Sequence, residues 1–281
     1  MSAAITVRGL EKSYAEHRAV GGIDLDVARG EVFALLGPNG AGKTTTVEIL
    51  EGYRSRDAGE VSVLGADPAD NALAWRRRIG IVLQSSDDFA DLTVEETVRH
   101  FAHYFPAPRD VDEVIEATGL AEKRTARTRA LSGGQRRRLD VALGIIGDPE
   151  LLFLDEPTTG FDPEARRQFW TLIESLASAG TTILLTTHYL DEAEHLAERV
   201  AVIASGRIVE VATPTTLGGR DRAPARVTWL DPQNGPQRLD SHSPTKTVQE
   251  LAGRFGGEVP GLTVTRPTLE DTYLQMIGQP A

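Results

Sequence analysis

Gly37-Pro38-Asn39-Gly40-Ala41-Gly42-Lys43-Thr44 follows the apolar run Val32 to Leu36 and leads into Thr45 to Leu50. A strand, a glycine loop and a helix in that order make a phosphate cradle. The glycines let the backbone turn its N–H groups inward, the helix points its positive end at the same spot, and Lys43 adds a mobile ammonium. The natural occupant is a polyphosphate. Lys43 is placed to reach β- and γ-phosphates, and Thr44 to offer its hydroxyl to Mg²⁺. The alternative is a glycine-rich turn that binds nothing, and the flanking strand and helix weigh against it.

Downstream, Leu151-Leu152-Phe153-Leu154 is an apolar strand ending in Asp155-Glu156-Pro157. Adjacent carboxylates at a buried strand's end are costly unless a cation or hydrogen bonds compensate. Beside a phosphate loop, Asp155 is expected to hold Mg²⁺ through its water shell, and Glu156 to orient or deprotonate an attacking water. Before it comes Leu131-Ser132-Gly133-Gly134-Gln135, then Arg136-Arg137-Arg138. Ser132 can cap a helix and the glycines open its first amides, which reads either as a second anion site or as a simple capped turn. Three arginines in a first turn oppose the helix dipole by a few tenths of a kcal/mol each.

Weaker signals stand around these. Gln84 ends the strand Ile79 to Gln84, where open α/β sheets bind ligands, although a strand-end Gln is commonly a turn residue. The arginines of Trp75-Arg76-Arg77-Arg78 read as a solvated helix face. Tyr14 could stack on a base or simply pack. Asp162 reads as an N-cap with Pro163 at the first helical position, and His188 lies at the tip of the β-branched strand Thr181 to Thr187.

The remaining chain sets these in an α/β frame. Ile5 to Gly9 and Val20 to Val27 suggest an N-terminal antiparallel region, and Gly59 to Gly65 a short strand. Residues 85 to 147 read as a helical insertion, with Thr93 and Glu96 as a capping box. Val200 to Ala204 and Arg207 to Val211 read as a hairpin about Ser205-Gly206. From Thr213 to about Ser243 the chain is rich in Pro, Gly and Asp and reads as loops around one strand, Arg226 to Leu230. Thr247 to Phe255 and Thr268 to Ile277 read as helices, with a strand at Leu262 to Thr265. The expected organisation is a cassette over 1–212 and a small α+β appendage over 213–281.

With 281 residues, 40% hydrophobic and 25% charged, the composition is that of a soluble globular protein. No apolar run approaches the ~18 residues of a membrane span, and the start Met1-Ser2-Ala3-Ala4-Ile5 has no signal pattern. A cytoplasmic protein is expected, unless a partner holds it at a membrane. There is no cysteine, which excludes disulfides, thiolate metal sites and a cysteine nucleophile. A net charge of -11 argues against a general nucleic-acid binder.

In this order the series resembles the nucleotide-binding subunit of the ATP-binding cassette (ABC) transporters, over roughly residues 5 to 212. Gly37 to Thr44, with Thr45, resembles the Walker A loop, Gln84 the Q-loop, Leu131 to Gln135 the signature and Leu151 to Glu156 the Walker B strand. Thr159 to Asp162 resembles the D-loop, with Phe161 where leucine is commoner. His188 resembles the switch histidine, and Tyr14 takes the place of the adenine-stacking aromatic. The resemblance implies a P-loop ATPase with a mixed core sheet, ATP and Mg²⁺ as cofactors, and Thr44, Gln84 and Asp155 at the metal. It implies a catalytic group of Lys43, Gln84, Glu156 and His188. It also implies a head-to-tail pair of cassettes, identical or paralogous, in which Ser132, Gly133, Gly134 and Gln135 of one copy close on ATP held by the other. A separate membrane-spanning permease is the expected partner, placing the chain at the inner face of the cell membrane, with no nucleic acid. Pro267 to Leu274 resembles the C-terminal motif of exporting ATPases of the daunorubicin-resistance type. The alternatives are an importer ATPase, a soluble cassette switch acting on nucleic acid or ribosomes, and a nucleotide sensor without turnover.

Overall fold

The computed structural model describes residues 2–82 and 90–278. Gln84 and most of the acidic stretch after it therefore lie outside the described residues. Compact units form over Met1–Val209 and Glu210–Ala281.

The first unit begins with β1 (Ala3–Tyr14) and β2 (His17–Ala28), joined in sheet order β2-β1-β4 to the later β4 (Ala58–Val63). β1 runs five residues beyond the predicted end at Gly9. It does so because Gly9 takes φ 57° where the register with β2 shifts, and Asp24 Oδ1 accepts its N–H at 2.7 Å. A glycine bulge bends a strand without ending it. β3 (Val32–Leu36) is buried throughout and feeds the glycine loop, after which α1 (Lys43–Leu50) begins. Next come α2 (Leu73–Arg76), β5 (Ile79–Val82), α3 (Val94–Ala102), α4 (Val111–Ala117) and α5 (Gly133–Ile145). β6 (Leu151–Asp155), α6 (Pro163–Ser178), β7 (Thr182–Thr187), α7 (Leu190–Leu196), β8 (Arg199–Ala204) and β9 (Arg207–Ala212) follow.

The main sheet has the order β5-β6-β7-β3-β8-β9, with β5, β6, β7, β3 and β8 parallel. The two-residue turn Ser205-Gly206, with φ 49° and 73°, returns β9 along β8. Three strand ends are thereby aligned. Leu36 pairs with Thr187 and Asp155 with Thr186, so the glycine loop, the acidic pair and His188 leave the sheet side by side.

At the opposite end of the strands, Glu150 pairs with Arg78 at 2.5 Å and Arg29 at 2.6 Å. Arg78 is thus no part of a solvated helix face, although Arg76 and Arg77 are exposed. The Arg78 hydrogen bond, then that from Arg29, holds the Glu150 carboxyl down to about 2 against the opposing effect of burial.

α5 lies directly on β5. A Cβ on Gly80 would stand 2.2 Å from the Gly144 carbonyl oxygen, and one on Gly144 would stand 2.9 Å from the Val82 side chain. The expected capping box of Thr93 with Glu96 opens α3, and Ser132, expected as a cap, forms one with Gln135 at the start of α5.

In the second unit, β10 (Ala225–Asp231), β11 (Gly235–Ser241) and β12 (Thr263–Thr265) form a sheet of order β11-β10-β12, with α8 (Pro244–Phe255) and α9 (Leu269–Met276). Val227, Leu251 and Val259 form its core, joined by Trp229, Val248 and Phe255. The single strand expected at Arg226 to Leu230 is in fact one arm of a hairpin. β11 escapes the pattern because it is an edge strand, where Pro236 costs no ladder bond, and most of its residues are polar. Asp231 makes the turn, its Oδ1 accepting the N–H groups of Gln233 at 3.0 Å and Asn234 at 3.1 Å.

Candidate functional site

The glycine loop needs its glycines for two distinct reasons. Gly40 and Gly42 sit at φ 78° and 104°, a region that side chains resist. A Cβ on Gly42 would also stand 2.4 Å from the carbonyl oxygen of Ala19 in β2. The loop therefore curls tightly under β2, and α1 starts at its mouth. Lys43 is 5% exposed, and its Nζ donates to Gly37 O at 2.7 Å and Pro38 O at 3.3 Å. Burial lowers the pKa of this ammonium, with Glu156 and Asp155 opposing.

One cavity of about 470 Å³ opens over this loop, lined by Tyr14, His17, Ala19, Pro38, Asn39, Gly40, Gly42, Lys43, Thr44, Thr45, Asp155 and Glu156. That is within the ~300–1,000 Å³ of small-molecule sites. Its floor is cationic and rich in N–H donors, its wall acidic, and its rim aromatic. Tyr14 is 38% exposed, with the Arg54 guanidinium 5.2 Å and the Lys12 ammonium 5.7 Å from its ring centre.

The acidic wall is braced by β7. Thr186 Oγ1 donates to Asp155 Oδ1 at 2.5 Å. The Glu156 N–H is 3.1 Å from both Thr186 O and Thr186 Oγ1. Glu156 has φ 44°, an unusual conformation for a residue with a side chain. Its Oε1 lies 3.9 Å from Lys43 Nζ and 3.3 Å from His188 Nδ1. His188 stands 39% exposed at the tip of β7, its ring 4.1 Å from that of Tyr189.

Of the residues singled out from the sequence, Tyr14, Pro38, Asn39, Gly40, Gly42, Lys43, Thr44, Thr45, Asp155 and Glu156 line the one cavity, and His188 joins it through Glu156. Gly37 lends its carbonyl to Lys43, and Ala41 lines a smaller cavity with Arg18, Ser205 and Gly206. Ser132, Gly133, Gly134 and Gln135 are absent from the lining, with Ser132 and Gly133 exposed at the start of α5. Asp162 is absent too, its carboxylate capping α6 by accepting from Glu164 N at 2.9 Å and Ala165 N at 2.8 Å. Thr186 escaped the sequence reading because a threonine in a β-branched strand carries no local mark. For a divalent ion, the Thr44 hydroxyl and the Asp155 carboxylate supply hard oxygen donors beside the loop, a donor set that suits Mg²⁺.

The family model for ABC transporters matches residues 20–159. The chain is 40% identical to the daunorubicin resistance ATP-binding protein of Streptomyces coeruleorubidus, covering 98% of this chain and 96% of that one. It is 44% identical to the Nod factor export ATP-binding protein I of Ralstonia nicotianae, covering 98% and 94%. Among solved structures, cbiO1 of Clostridium perfringens superposes with a TM-score of 0.68 at 28% identity, over 76% of this chain and 90% of that one. A dimeric ATP-binding cassette bound to ADP and Pi shares the fold, with a TM-score of 0.66 at 22% identity over 74% and 98%. A glycine loop that opens a helix beside Lys43, an acidic strand end braced next to it and relatives aligned over nearly the whole length lead to one conclusion: the chain belongs to the ABC transporter family, as an ATPase cassette subunit.

Proposed function

We propose that this subunit hydrolyses Mg-ATP to power export through a separate membrane permease, working as a head-to-tail pair of cassettes. The observation that carries the catalytic part is the single cavity that joins Lys43 and the loop to Asp155 and Glu156. The loop's N–H groups and Lys43 bind the β- and γ-phosphates. Tyr14 stacks on the base. Glu156 takes the proton of the attacking water, and His188, whose Nδ1 faces Glu156 Oε1, orients that carboxylate. Thr44 and Asp155 would hold Mg²⁺, which would supply neutralisation of phosphate charge.

The paired arrangement is supported by the exposed Ser132 and Gly133, which are absent from their own chain's cavity and thus free to close another copy's. The names of the relatives, drug resistance and Nod factor export, favour export of drug-like, lipid or polysaccharide cargo over import. No helix among the described residues is long and apolar enough to cross a membrane, which is consistent with a separate permease. The test is steady-state ATP hydrolysis by Glu156→Gln. Turnover is expected to fall by roughly 10²–10⁴-fold if base catalysis is the role, with ATP binding kept. Parental turnover in this variant excludes Glu156 as the base.

A further inference from the structure

One buried cation joins the helix that carries the serine-glycine signature to the strand end that carries Glu156. Arg137 lies in the second turn of α5, five residues after Ser132, and is only 6% exposed. Its Nε donates to Pro157 O at 3.0 Å and its Nη2 to Asp155 O at 2.7 Å. These carbonyls belong to the two residues flanking Glu156. The third nitrogen, Nη1, lies 3.9 Å from Asp140 on the same helix.

The target of this fork is an energetically uphill piece of backbone. A left-handed residue with a side chain costs about 1–2 kcal/mol and persists only where its surroundings over-determine it. At Glu156 the determinants come from two sides. Thr186 fixes the N–H from β7, and Arg137 fixes the carbonyls before and after it from α5. Arg137 reaches the two carbonyls from two different nitrogens held in one rigid plane, a geometry that a lysine ammonium, with all its donors on one atom, does not reproduce. Arg137 is absent from the cavity's lining, so its effect on phosphate chemistry passes through the Asp155–Glu156 segment that it holds.

We propose that Arg137 is a positioning residue that holds the Glu156 carboxylate in its working pose and makes that pose depend on where α5 sits. The signature helix and the hydrolytic group then act as one mechanical unit. Displacing α5 loosens the Asp155–Glu156 peptide plane and the Pro157–Thr158 plane just beyond, and seating α5 restores them. This inference rests on the reading of Glu156 as the group that activates water.

The test uses full-length protein and measures kcat, KM for ATP, equilibrium ATP affinity and thermal midpoint for Arg137→Lys, Arg137→Gln and Asp140→Asn. Both Arg137 variants are expected to lose roughly 10- to 100-fold in kcat, the scale of about an ångström of misplacement. KM and ATP affinity should stay within about twofold of parental. Arg137→Lys added to Glu156→Gln should cost nothing further, because the two residues act as one unit. Asp140→Asn leaves both carbonyl bonds in place and should keep parental kcat. The proposal is overturned by parental kcat in Arg137→Lys, by a loss confined to KM, by additive losses in the double variant, or by a tenfold loss in Asp140→Asn. That last arm decides the matter even where the Arg137 variants do not fold. Parental turnover in Glu156→Gln alone instead defeats the underlying reading, whatever Arg137 does.

Discussion

Glu51, just past the end of α1, is 7% exposed. Burial, and after it the nearby charges of Asp155 and Glu48, push its carboxyl up to about 8. Because the folded pKa lies above the unfolded 4.5, the stability it confers is full below about pH 4.5 and is lost as pH rises through about 8. Glu51→Gln keeps the shape and removes the titration. The variant should match the parent near pH 5 and exceed it near pH 8 by on the order of 1–4 kcal/mol, read from urea midpoints at the two pH values. A parent advantage at the higher pH contradicts this. Nothing local in the sequence says that the Glu51 side chain turns inward. Lys43, Asp155 and Glu156 were legible because the chemistry of phosphate dictates their spacing and order. Thr186 and Arg137 were not, because each owes its importance to a partner 31 or 20 residues away in sequence that only the fold brings near.

Elements whose signals are local were the most readable. The capping boxes at Thr93 and Ser132 and the Asp162-Pro163 start of α6 bond within three residues, so the sequence contains both partners. β1 and β11 were misread where a glycine bulge and an edge position altered the usual pattern. The contact of α5 with β5 was hidden as well, since Gly80 and Gly144 stand 64 positions apart and a glycine advertises nothing about what touches it. Gly80→Ala forces a methyl to within 2.2 Å of a backbone oxygen. It should destabilise by roughly 1–3 kcal/mol through overpacking, measured by chemical denaturation. Turnover should also fall in the folded fraction, because the shift is transmitted to α5. Unchanged stability would show that the helix can back away freely.

At the scale of the whole molecule, the glycine loop and the Ser132–Gln135 segment of a single copy do not share a cavity. Glu156→Gln with ATP is therefore expected to run as a dimer in size-exclusion chromatography with light scattering, and as a monomer without ATP. Adding Gly134→Asp should abolish the dimer by setting a carboxylate against the phosphate. A dimer indifferent to both ATP and Gly134→Asp would place the contact elsewhere. Glu150→Gln, at the far end of the strands, should cost stability near pH 7, read from urea midpoints, and the deficit should close as pH falls toward 2. The carboxyl's low folded pKa, about 2, confers stability above the unfolded 4.5 that is lost as pH falls toward 2. With Glu150 41% exposed, solvent screening limits this to about 1 kcal/mol.

The Glu150 bridge to Arg29 and Arg78 has a further consequence for how this molecule can change over time. It fastens the strands at their beginnings, whereas the proposed ATP site lies at their endings. A lineage, or an engineer, can harden the foundation against acid or heat without disturbing the workshop on the roof.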